Sequence, residues 1–217
     1  MAHVIVEMQL VDPVVAETQA ACVSRLGRCL ERCGVRWLRG LRSSDRRRLI
    51  CEYEAADAES VRVAHRAADV PFIRVWTAEP VTPPPVSATD ECSPLSHAPH
   101  AARACRDLIH LTSLEGAMPK YLIERHVPGA HDMSPEELHV AANVSCDALD
   151  YLGPDVEWQQ SFITKDTINC VYLGRDEAII RDHARISGFP ANRIQVIEAE
   201  IGPATAEPRQ PAAVNTT

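Results

Sequence analysis

Three things are missing from this 217-residue sequence, and each removes a class of function. No apolar run approaches the ~20 residues that a membrane-crossing helix needs, so no membrane partner is expected. Positive charge is scarce: 22 Lys and Arg against 30 Asp and Glu leave a net charge of −8. That balance speaks against nucleic acid, whose binding relies on neutralising phosphates. None of the eight cysteines stands in a CxxC pair, so a zinc ribbon or a thioredoxin-like motif is absent. The opening Met1-Ala-His-Val-Ile-Val-Glu7 also lacks the basic segment and long apolar core of a secretory signal. A cytoplasmic location with reduced thiols is the expectation.

What is present is a repetition, and a repeat governs how the rest is read. Trp37-Leu-Arg-Gly-Leu, Leu49-Ile-Cys-Glu-Tyr53, His65 and Val70-Pro71-Phe72 recur as Trp158-Gln-Gln-Ser-Phe, Ile168-Asn-Cys-Val-Tyr172, His183 and Phe189-Pro190-Ala191. Cys51/Cys170, Tyr53/Tyr172 and Pro71/Pro190 share one offset, 119 residues. Glu7 in Val4-Ile-Val-Glu pairs with Glu124 in Tyr121-Leu-Ile-Glu.

Each copy reads as βαββαβ. In the first, β-formers over 4–10 and 35–41, then 49–53 and 72–77, predict strands. Helical periodicity covers 14–33, closed by Gly34 at C′, and 58–68. In the second, strands are expected at 121–127, 157–163, 168–173 and 194–199. Ser134-Pro-Glu-Glu137 is a capping box opening a helix over 135–151, and a second helix covers 176–187 up to Gly188. The resulting fold class is α+β: two ferredoxin-like modules. Each module leaves one sheet face in need of a partner, so an α/β-barrel pseudo-dimer within one chain, or a homo-dimer, follows from fold logic. The predicted boundaries are 1–80 and 118–202 for the modules, 81–117 for a Pro-rich linker with a short helix at 101–114, and 203–217 for a disordered tail.

The recurring polar anchors are the candidate chemistry. Cys170 and Tyr172, two apart on a strand, point to one face. His183 lies on the apolar stripe of its helix, between Ile179 and Ile186. Glu124 meets His183 only if it points to the helix side. Imidazole, carboxylate and thiolate together bind borderline divalent metals such as nickel or zinc. Tyr172 and His183 alternatively serve as acid–base catalysts on a small molecule. The plain reading is a buried, hydrogen-bonded set. His126 and His131, with Asp132, form a second possible ligand group or a solvated loop. Cys22, Cys29 and Cys33 line one helix face with Leu26, as buried small hydrophobes or as a soft-metal stripe. Cys92, His97, His100 and Cys105 make a loose ligand set in the linker. Asp45-Arg-Arg-Arg48 reads as a solvated hairpin tip.

Residues 118–207 closely resemble a widespread bacterial domain of unknown function. The matching segments include Ile123-Glu-Arg, Ser145-Cys146, Glu157-Trp, Cys170-Val-Tyr172, His183-Ala-Arg and Gly188-Phe-Pro-Ala-Asn-Arg-Ile194. The first copy resembles a more divergent branch. Relatives of this domain are nickel-binding, ferredoxin-like, dimeric α/β barrels. The resemblance therefore implies the fold and, as an expectation, a nickel or other divalent-metal cofactor. On chemical grounds the candidate metal ligands are Glu124, His126, His131, Cys170 and His183. Because related barrels host oxygenases, isomerases and haem-using enzymes, a small-molecule enzyme using Tyr172 and His183 is the alternative, and a non-catalytic interaction module the third.

Overall fold

The computed structural model describes residues 1–13, 16–83 and 118–203. The linker set Cys92, His97, His100 and Cys105, the helix expected at 101–114 and the tail from 204 lie outside the described residues. The chain divides into two compact units: residues 1–78 with those from 198, and residues 79–197.

In unit 1, β1 (Ala2–Gln9) runs antiparallel to β3 (Arg48–Ala55) and to β4 (Arg74–Thr77), while β2 (Arg36–Ser43) pairs with β3. The strand order β4-β1-β3-β2, with helices α1 (Ala16–Arg32) and α2 (Ala58–Ala67), is the ferredoxin-like arrangement. Gly34 follows α1 with φ 64°, a left-handed conformation that glycine adopts without Cβ strain. Asp57 caps α2, its carboxylate accepting the Ser60 amide at 2.7 Å.

Unit 2 repeats the pattern. Strand β6 (Lys120–His126) pairs with β8 (Thr167–Gly174) and with β9 (Arg193–Ile201), and β7 (Val156–Ile163) pairs with β8. Helices α3 (Pro135–Leu152) and α4 (Glu177–Ser187) complete it. The capping box at Ser134 and Glu137 forms with both of its hydrogen bonds. Both β2 and β7 carry an irregularity just after the tryptophan, between Trp37 and Arg39 and between Trp158 and Gln160. The duplication thus extends to a shared local bulge.

Two features depart from the expectations. A short strand, β5 (Glu79–Val81), continues the chain beyond β4 and pairs with Ile163–Ser161 of β7, so residues 79 and 80 group with unit 2. An edge strand offers unpaired backbone groups, and Pro80, which lacks an N–H, is tolerated at such an edge. Arg48 also leaves the expected solvated tip. Arg46 and Arg47 are exposed, but Arg48 is buried against Glu7.

Strand alternation decides which side chains meet the helices. In unit 1 Val4, Val6, Met8, Cys51 and Tyr53 pack with Leu30, Val61 and Ala64, and with Leu26, Cys29 and Cys33 of α1. In unit 2 Tyr121, Ile123, Cys170 and Tyr172 pack with Leu149, Ile179 and Ile180. No described helix is long and apolar enough to cross a membrane.

Candidate functional site

His183 and Tyr172 meet beneath α3, as the repeat suggested, but a serine joins them. Ser145, on the buried face of α3, lies 3.0 Å from the Tyr172 hydroxyl and 3.2 Å from His183 Nε2. The two rings are tilted at 51° with centroids 5.1 Å apart. His183 Nδ1 is buried and has no hydrogen-bond partner. Burial, and then the positive Arg125 guanidinium, push His183 down to about 4, so its ring is neutral near pH 7. Burial is also the main reason that the Tyr172 hydroxyl is held well above the ordinary phenol range.

The residue that sequence reading missed is Arg125. On β6 it is in phase with Tyr121 and Ile123, so it points to the helix side, and it is only 3% exposed. Its Nε donates to Cys170 Sγ at 3.3 Å and its Nη1 to the Pro190 carbonyl at 2.7 Å, while the Phe189 ring lies 5.7 Å away. Its Nη2 is buried with no hydrogen-bond partner. Cys170 Sγ also accepts from the Ser161 hydroxyl at 3.0 Å, and Ser161 in turn accepts from Trp158 Nε1 at 3.0 Å.

These groups edge a cavity of about 110 Å³ inside unit 2. Its wall is mainly apolar, with Val81, Leu138, Ala142, Ile168 and Phe189 among its members. Arg125, Ser145, Ser161, Cys170 and Tyr172 supply the polar points. Apolar walls with a few fixed polar groups are typical of small-molecule sites, and this space is smaller than most of them.

The remaining candidates stand elsewhere. Glu124 alternates out of phase with Arg125, opposite Asn169 and Arg193, and so points to the face away from the helices. Glu7 does the same in unit 1, where it accepts from Arg48 Nε at 2.8 Å and pairs with Arg74 Nη2 at 2.6 Å. His126 is exposed at the end of β6. His131 is exposed too, with Nδ1 2.9 Å from the Lys165 carbonyl and Nε2 3.2 Å from Asp132. Cys170, Tyr172 and His183 therefore share one side of the sheet, and Glu124, His126 and His131 do not join them.

The fold and this arrangement define a tandem ferredoxin-like α+β protein with a polar-edged cavity in its second module. Two segments, residues 5–77 and 121–197, match the SCO4226-like family, described as nickel-responsive proteins, and the chain belongs to that family. No curated protein matches the sequence significantly. Among solved structures, a chlorite dismutase from Candidatus Nitrospira defluvii in complex with imidazole is similar at 9% identity, with 91% of this chain and 90% of that chain covered and a TM-score of 0.45. An anthrone oxidase-like protein is similar at 8% identity, with 98% and 97% covered and a TM-score of 0.42.

The family description raises the question of nickel. Among the described residues, no three of His, Cys, Asp and Glu come together to hold a metal ion. The buried set under α3 fits a cation poorly on electrostatic grounds as well. A guanidinium donates to the Cys170 sulfur that a metal would need, and it places positive charge near His183.

Proposed function

We propose that unit 2 is a binding module for a small, largely apolar organic molecule, taken up in the cavity beneath α3. The observation that carries this reading is the cavity itself, apolar in its wall and edged by hydrogen-bonding groups that packing holds in place. Binding is favoured over acid–base catalysis by the state of the two candidate catalysts. His183 is neutral and the Tyr172 hydroxyl resists ionisation, so neither is poised near neutrality to move a proton. An occupant no larger than about one ring suits the space, which at about 110 Å³ is smaller than the roughly 150 Å³ cavity that takes benzene.

Thermal unfolding of the full chain with benzyl alcohol tests the proposal. A ligand that binds only the folded state raises the midpoint in proportion to its saturation. The expected result is a concentration-dependent rise that Ala142→Phe, which fills the cavity, abolishes. No rise in the parent protein, or an equal rise in the variant, counts against it.

Membership of the nickel-responsive family favours a second reading, in which the chain binds nickel. The exposed His131–Asp132 pair and His126 carry donors of the right class, although both His131 ring nitrogens are already engaged. Elemental analysis of untagged protein after a nickel titration tests this reading. Retained metal that His131→Ala releases supports it, and absence of retained nickel removes it.

A further inference from the structure

Arg125 is a buried cation that the protein itself leaves incompletely served. Two of its nitrogens are used, by Cys170 and by the Pro190 carbonyl, and the Tyr172 hydroxyl lies near the guanidinium, while Nη2 makes no hydrogen bond. Among the described residues lining the cavity there is no Asp or Glu, and Glu124, next in sequence, points to the opposite face. A buried charge without an opposite partner carries a large desolvation cost, so its presence needs a reason beyond packing. The twin module shows that packing does not require it. Arg125 stands opposite Ile168 in the β6–β8 pair, and the matching place in the β1–β3 pair, opposite Leu49, is taken by Met8.

We propose that Arg125 is the anchor for a carboxylate, and that the ligand of the cavity is a small amphipathic monocarboxylic acid. Its apolar body, about one aromatic ring in size, lies against Leu138, Ala142 and Ile168. The inference rests on the cavity reading above and adds the charge of the occupant. A guanidinium recognises carboxylate and phosphate alike. Among the described residues lining this small apolar space, Arg125 is the only cation, so one negative charge is balanced and a second is not. Ser145 and Ser161 also line the space, their hydroxyls already bonded to Tyr172, His183 and Cys170.

Isothermal titration of the full chain near pH 7 with benzoate, benzyl alcohol and phenyl phosphate tests the proposal. Benzoate is expected to bind at least about tenfold more tightly than the alcohol, in line with the worth of a charge-assisted hydrogen bond. Arg125→Met, which copies the twin module, should remove that difference. If that variant does not fold by circular dichroism, the three ligands on the parent protein still decide the matter. Equal affinity for benzoate and benzyl alcohol overturns the anchor while the cavity reading survives. Tighter binding of phenyl phosphate overturns the carboxylate assignment. Silence from all three ligands overturns both the anchor and the cavity reading.

Discussion

The two modules share a fold, a bulge and a buried Tyr–His pair, yet they use the space under their helices differently. In unit 1 the Tyr53 hydroxyl bonds directly to His65 Nε2 at 3.1 Å, and His65 meets both Tyr53 and Phe72 edge-on. In unit 2 Ser145 bridges the equivalent pair. The strand registers sharpen the contrast. Met8 stands where unit 2 has Arg125, and Gly40, opposite Cys51, stands where unit 2 has Ser161, opposite Cys170. A Cβ on Gly40 would come within 3.0 Å of both Cys51 Sγ and Ile201 Cγ1, so unit 1 is closed at that point. Burial pushes the Cys51 thiol up to about 12, whereas the Cys170 sulfur accepts two hydrogen bonds. Met8 and Gly40 stand in one copy where the other has Arg125 and Ser161 beside a cavity.

The largest effect that would break this comparison comes from exchanging its key residues. Met8→Arg places a cation among the apolar side chains of the unit 1 core, and a loss of about 4 kcal/mol or more is expected in urea unfolding. Arg125→Met removes a buried charge and should change stability by less than about 1 kcal/mol, or raise it. Similar losses from the two substitutions would show that the modules bury charge equally well.

Acid should affect both modules alike, because His65 and His183 are each held down to about 4 chiefly by burial. In the unfolded chain these rings gain a proton below their ordinary 6.5, and in the folded chain only near 4. Stability is therefore lost as pH falls between those values and levels off below the lower one, by up to about 3 kcal/mol per ring. Denaturant midpoints measured across that window check the slope. Replacing either histidine with Gln should remove about half of the two rings' share of it, and an unchanged slope would sink the assignment.

A more modest loss concerns the serine that distinguishes the pairs. Ser145→Ala deprives the Tyr172 hydroxyl and His183 Nε2 of a shared partner, at about 1–2 kcal/mol, read as a lowered midpoint in chemical unfolding. A neutral result would mean that Tyr172 and His183 close the gap by bonding directly, as Tyr53 and His65 do.

Much of the architecture was legible because it depends on short-range signals. Period-two runs such as Val4–Met8, the Ser134 capping box and the glycines after helices mark elements locally, and the constant offset of Cys51 and Cys170 exposes the duplication. The site was legible only in part. Cys170 and Tyr172 could be placed on one face by alternation, and His183 under the helix by its apolar neighbours. A signal for Arg125 was also present, since it falls in phase with Tyr121 and Ile123. Glu124, the acidic neighbour that recurs in the twin copy, carries the stronger repeat signal. Ser161 was harder to see, because the irregularity after Trp158 shifts the alternation.

The sequence by itself determined that the chain is two βαββαβ modules and that Cys, Tyr and His recur in both, because periodicity and repetition are properties of the chain. It could not decide which carboxylates stand apart, which polar atoms lack partners, or where space remains. The face taken by Glu124, the orphaned Arg125 Nη2 and the cavity beneath α3 depend on side chains distant in sequence. Burial and hydrogen bonding are settled only when those strands and helices meet.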